Sequence, residues 1–125
     1  MTVPPFRALV PMARVESVER SVAFYAQLGF KVTSSFASPG VDFLNWAWLE
    51  SGKADLMITR HHLALTGEPR PTVLFYAYCE NVAKMHAALV AQGVACGPIV
   101  ERFYAPKGEF EVRDPDGYAI LVTHI

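Results

Sequence analysis

Gly108-Glu-Phe-Glu-Val-Arg-Asp-Pro-Asp-Gly-Tyr-Ala-Ile-Leu-Val-Thr-His-Ile125 is the stretch on which the reading of the chain turns. Two strand-like runs flank Asp114-Pro115-Asp116-Gly117. Asp114 can accept a hydrogen bond from the backbone two residues on, Pro115 pre-sets φ at about −65°, and Gly117 tolerates positive φ. The stretch has an upstream counterpart. Shifted back by 64 positions, Tyr118-Ala-Ile-Leu-Val-Thr123 falls on Ala54-Asp-Leu-Met-Ile-Thr59, with Ile120 over Leu56, Val122 over Ile58 and Thr123 over Thr59. The same shift lays Asn81-Val82 on Ser17-Val18 and Gly93 on Gly29. One offset serves a helix start, a helix stop and a final strand, so the chain reads as one unit used twice.

Working outward, residues 6–13 read as a first strand, although Pro11 has no N–H to give a ladder and marks an edge or a seam. Ser17 is suited to cap a helix carrying Val18, Val22, Tyr25 and Leu28, and Gly29 to stop it. Strands are expected over 30–36, 42–49 and 54–60, then a polar, proline-containing connection over 61–71. The second unit repeats the order. A strand over 72–79 leads to a helix capped by Asn81, carrying Val82, Met85, His86 and Leu89 and ended by Gly93. A short strand over 99–103 precedes the hairpin. The expectation is an α+β fold of two βαβββ modules in tandem, with curled mixed sheets around a cavity. It is a single domain over 1–125, module 1 spanning 1–62 and module 2 spanning 70–125. One such unit leaves a sheet face bare, so two copies must pair, within a chain or between chains.

Bulk properties exclude several classes. A formal net charge of −1 gives no electrostatic footprint for nucleic acid. No apolar run approaches the roughly 18 residues of a membrane span. Met1-Thr-Val-Pro-Pro-Phe-Arg7 lacks a charged-then-apolar leader pattern, so a cytoplasmic location is expected. Cys79 and Cys96, seventeen apart, form no C-x-x-C and have no matching histidine pair. They read as small buried hydrophobes, not as a zinc or redox motif.

The repeat, together with Ser21-Val-Ala-Phe-Tyr-Ala-Gln-Leu-Gly-Phe30 and Glu109-Phe-Glu-Val-Arg-Asp-Pro-Asp-Gly117, resembles the vicinal oxygen chelate superfamily over nearly the whole chain. That group includes glyoxalase I, extradiol dioxygenases and fosfomycin- and bleomycin-resistance proteins. Residues 10–18 look like the opening strand of the bleomycin-resistance branch. The resemblance implies paired modules curling around a cavity, into which metal-using members project one ligand from each of four strands. Carried over by motif, those positions are Val10, Met57, Leu74 and Leu121. None supplies an oxygen or nitrogen donor, and a thioether is a poor ligand for hard cations. The family's metal chemistry is therefore not expected, and neither a metal nor another cofactor.

Strand alternation sorts the remaining candidates. Leu9, Leu56, Ile58, Val73, Phe75, Ile120 and Val122 share one parity and should lie under the helices. The opposite parity carries Thr59, Thr72, Tyr76, Tyr78 and Thr123, a lining for a flat or amphipathic ligand, or else filler between modules. Trp46 and Trp48 share a face that the repeat equates with Phe110 and Val112; they either stack a ring ligand or pack at a subunit contact. Glu109 and Glu111 project together, as a cation-holding or general-base pair or as a solvated edge. Phe103 and Tyr104 sit in a loop over 103–107 that either covers a pocket or pins itself on the core. His61 and His62 read as solvated linker residues, His86 as a hydrogen-bonded side chain of the second helix, and His124 as a strand terminus.

The functional expectation is a metal-independent protein that sequesters a small molecule and acts as a homodimer, with neither nucleic acid nor membrane as a partner. Two alternatives stand beside it. One is an enzyme of the same fold, working through shifted metal ligands or through Glu109 or Glu111. The other is a structural or regulatory module whose pocket is filled by its own side chains.

Overall fold

The computed structural model describes Thr2, Pro5, residues 7–60 and residues 73–124. In chain order the elements are β1 (Met12–Val15), α1 (Val18–Gln27), β2 (Lys31–Phe36), β3 (Trp46–Ser51), β4 (Ala54–Arg60), β5 (Leu74–Cys79), α2 (Val82–Ala91), β6 (Val100–Arg102), β7 (Ala105–Arg113) and β8 (Ala119–His124). They make two four-stranded sheets, β1-β4-β3-β2 and β5-β8-β7-β6. In each sheet the first strand pairs in parallel with the last, and the remaining pairs are antiparallel. The fold is the expected tandem α+β arrangement of two mixed-sheet modules. Neither sheet closes into a barrel.

The helix signals act as read. Ser17 is extended at φ −131° and its side chain accepts from the Arg20 N–H; Asn81 does the same for Lys84. Gly29 and Gly93 follow the helices at φ 91° and 86°, where a Cβ would be strained. Both helices span ten residues at an offset of 64, Val18–Gln27 against Val82–Ala91. Each helix buries one stripe on its own sheet. α1, through Val18 and Tyr25, packs on the sheet of β3 and β4, and α2, through Val82 and Leu89, on that of β7 and β8; with Ala13, Val15, Ala47, Leu49, Leu56, Ile58, Phe110, Val112, Ile120 and Val122 these residues form one buried core. Each fully buried aliphatic side chain contributes roughly 1.5–3 kcal/mol.

Several boundaries and faces differ from expectation. The first strand starts at Met12, so Pro11 precedes it; lacking an N–H, Pro11 offers only its carbonyl, which accepts from the Met57 N–H at 2.9 Å. The third strand starts at Trp46 because Asn45 bends the chain: its side chain accepts from the Ser38 N–H at 2.7 Å. Residues 105–107 belong to β7, leaving Phe103 and Tyr104 as a tight turn between Arg102 and Ala105. Leu9 (96% exposed) and Val73 (54% exposed) are not core; both precede their strands and lie beyond the reach of the helices. Thr72, the connection 61–71 and His61 and His62 lie outside the described residues.

The offset itself slips once. Leu56 pairs with Leu49, and its repeat mate Ile120 pairs with Val112; 120 − 56 is 64 but 112 − 49 is 63. The cause is the turn. Ser51 pairs with Ala54 across two residues, whereas Arg113 and Ala119 are separated by five. The equation of Trp46 and Trp48 with Phe110 and Val112 is therefore wrong. Phe110 and Val112 are buried beneath α2, and the residues equivalent to the tryptophans are Glu109 and Glu111.

That five-residue turn joins the modules. Asp114 Oδ1 accepts from the N–H groups of Asp116 (2.9 Å) and Tyr118 (2.8 Å), and its Oδ2 accepts from the hydroxyl of Tyr25 on α1 at 2.8 Å. Asp116 accepts from the Glu16 N–H at 2.9 Å and faces Arg20 at 3.4 Å. The Tyr118 hydroxyl accepts from the Arg14 N–H and donates to the Arg14 carbonyl, satisfying an otherwise bare edge of β1.

Candidate ligand-binding face

The sheet faces turned away from the helices carry the side chains of interest. In module 1, register places Met12, Met57 and Trp48 in one row and Arg14, Thr59 and Trp46 in the next. In module 2, Tyr76, Leu121 and Glu111 form one row. Tyr78 pairs with Thr123, and one step beyond the Phe110–Val122 pair stands Glu109. This module 2 face is open within the chain: Leu74 is 55% exposed, Tyr76 44% and Tyr78 62%. The rings of Tyr76 and Tyr78 stack at 6.3 Å with 26° between planes, presenting an aromatic floor. In module 1 the tryptophans are half-buried, and Trp48 Nε1 donates to Asp55 Oδ1 at 2.9 Å.

The two glutamates share that face but not an environment. Glu111 is exposed and its Oε2 accepts from Arg113 Nε at 2.9 Å. Glu109 is buried, at 6% exposure. Its Oε1 accepts from the Tyr104 hydroxyl at 2.5 Å and faces Arg102 Nε at 3.4 Å. The hydrogen bond to Glu109, then burial, push the Tyr104 phenol up to about 12. Tyr104 thus folds back over the sheet, while Phe103 stands at the turn's tip, 98% exposed. Glu109 Oε2 and Thr123 Oγ1 are buried polar atoms with no hydrogen-bond partner.

The four positions carried over from the metal-using pattern do not fit an ion. Val10, Met57, Leu74 and Leu121 present hydrocarbon and one thioether, and among the described residues no cluster of three or more His, Cys, Asp or Glu side chains could hold a metal. His86 instead shares a 2.9 Å hydrogen bond with the Gly97 carbonyl and meets Phe110 edge-on. His124 Nε2 accepts from the Lys107 N–H at 3.0 Å. Burial pushes both thiols, Cys79 and Cys96, up. A shallow groove of about 530 Å³ lies at the start of α2, lined by Cys79, Asn81, Lys84 and Met85. Cys79 alternates with Tyr76 and Tyr78 on β5, so the groove opens on the helix side of the sheet, opposite the aromatic floor.

Arg102 and Arg113 were not anticipated as site residues. Arg113 stands two positions after Glu111, a spacing that puts both on one strand face and is visible in the sequence. Arg102 reaches Glu109 only through the β6–β7 hairpin register, which no local pattern announces.

The arrangement belongs to a class of paired βαβββ modules with a polar and aromatic inner face. The chain is a member of the Glyoxalase/Bleomycin resistance protein/Dioxygenase superfamily, which matches residues 8–122. Solved structures share the fold. A bleomycin-binding protein complexed with bleomycin superposes with a TM-score of 0.73 at 16% identity, covering 96% of this chain and 99% of that one. The bleomycin-binding protein from bleomycin-producing Streptomyces verticillus, complexed with copper(II)-bleomycin, gives 0.73 at 21% identity, covering 98% and 99%. A glyoxalase family protein from Enterococcus faecalis gives 0.69 at 21%, covering 96% and 97%. No curated protein matches the chain in sequence. Among the described residues no helix is long and apolar enough to cross a membrane.

Proposed function

We propose that the chain is a metal-independent small-molecule binding protein that sequesters its ligand against the inner sheet faces. The observation that carries this reading is the chemistry at Val10, Met57, Leu74 and Leu121, which offers hydrocarbon and a thioether in place of donors, together with the stacked Tyr76 and Tyr78 on the sheet of Leu74 and Leu121. Such a face cannot polarise a substrate oxygen through a cation, but it suits burial of a flat ligand. Trp46, Trp48, Tyr76, Tyr78, Phe103 and Tyr104 supply aromatic contact, and Glu109 orients. That fold neighbours are bleomycin-binding proteins supports this reading. The unbridged thiols fit a reducing cytoplasm.

The working form is a homodimer. Met12 (53% exposed), Phe36 (54%), Leu74, Tyr76 and Tyr78 leave apolar surface that a soluble monomer seldom exposes so densely. A second copy would set the module 1 face of one protomer over the module 2 face of its partner, enclosing the ligand. The test is titration of the purified protein with aromatic probes before and after chelation, with sedimentation across a dilution series. Unchanged affinity after chelation and a dimer that dissociates on dilution are expected. A stoichiometric divalent ion bound at these strands, lost with binding on chelation, would overturn the reading.

A further inference from the structure

We infer that Glu109 and Thr123 form a subsite for an amide edge of the ligand, a carboxamide or lactam presenting an N–H and a C=O side by side. The inference rests on the binding role above and specifies its chemistry. Glu109 Oε2 and Thr123 Oγ1 are buried and lack partners, and their residues lie on adjacent strands, each one step beyond the paired Phe110 and Val122. Directly opposed side chains begin roughly 5 Å apart at Cβ, within span of one planar amide. A buried polar atom without a partner is costly, so such pairs in native proteins await a ligand or water.

The neighbours decide which groups fit. Tyr104 O–H and Arg102 N–H both address Oε1, which leaves Oε2 as an acceptor with nothing to accept. Thr123 supplies a hydroxyl free to donate. An amide edge matches both: its N–H donates to Glu109 Oε2 and its carbonyl accepts from Thr123. Net charge is not the selector, because Arg102 and Arg113 already offset Glu109 and Glu111. Beside the subsite, Tyr78 pairs with Thr123 and stacks with Tyr76, a surface for an attached ring.

Three aryl probes of one shape test this: naphthamide, methyl naphthoate and naphthoate. On the wild-type protein naphthamide should bind about tenfold more tightly than the ester, the difference of one well-made hydrogen bond. Glu109→Gln gives a sharper outcome. The two donors on Oε1 oblige the glutamine to keep its oxygen there, turning Nε2 into the vacant position. A donor then faces a donor, and the preference should vanish or reverse. Thr123→Val should weaken amide and ester alike, severalfold, and keep their ratio. Thermal melts of both near-isosteric variants confirm folding. Equal wild-type affinity for amide and ester, as expected if water fills the subsite, would overturn the inference and leave the binding role standing. So would a preference unchanged in Glu109→Gln. Failure of all three probes to bind would overturn the binding role and the subsite with it.

Discussion

Tyr25 on the first helix and Asp114 in the last turn, 89 positions apart, share a 2.8 Å hydrogen bond, the buried one among the links between the modules that the turn makes. Both groups are buried, and desolvation pushes the tyrosine and the aspartate up from their ordinary values. Asp114→Ala would strand the Tyr25 hydroxyl and the N–H groups of Asp116 and Tyr118, at a cost of about 2–4 kcal/mol. Tyr25→Phe removes one partner only and should cost about 1 kcal/mol. Denaturant melts of both singles and the double variant should show a coupling of about 1 kcal/mol; purely additive losses would mean the contact is incidental.

Alternation on β7 makes neighbouring residues behave oppositely. Phe110 is 2% exposed beneath α2, so Phe110→Ala should cost about 3–5 kcal/mol. Glu111→Gln, one position on but on the other face, should stay within about 0.5 kcal/mol. Equilibrium unfolding of the two proteins measures the contrast directly.

Gly108 precedes Glu109 at φ 100°, and a Cβ there would run into Ile99 Cγ2. Gly108→Ala should therefore lower stability by about 1–3 kcal/mol and shift the β6–β7 hairpin that carries Tyr104. Amide chemical-shift changes should concentrate on residues 99–109, and a silent substitution would contradict the close approach.

The Tyr104–Glu109 bond has a calculable alkaline limit. A phenol raised in the folded state above its ordinary 10.0 holds its proton longer when folded, so its contribution is fully present below 10.0 and is lost as pH rises through about 12. The ultraviolet phenolate titration of the wild type minus that of Tyr104→Phe should show one group ionising near that upper value. A difference curve centred on the ordinary value would mean that the hydrogen bond does not persist in solution.

Much of the architecture is local chemistry and was legible as such. Ser17 and Asn81 cap because a short acceptor side chain reaches the N–H three residues on, and Gly29 and Gly93 stop because they accept positive φ. The faces of β4 and β8 followed from alternation within a shared offset. The face of β7 did not, since it depends on how many residues a turn leaves unpaired, and one extra residue inverts every side chain. Nor did composition reveal that Glu109 would be buried while Glu111 stays exposed. That difference comes from Tyr104 and Arg102 folding over one carboxylate, a tertiary event at the hairpin.

A chain made of near copies risks having either half take the other's place as it folds. The longer turn between β7 and β8 removes that freedom. Its two carboxylates are engaged by the first helix and by the backbone at Glu16, and the brief Ser51–Ala54 corner has nothing comparable to offer. The halves therefore meet in one sense only: the backbone keeps a near-twofold equivalence of strand order, while the contacts that join the halves are directional.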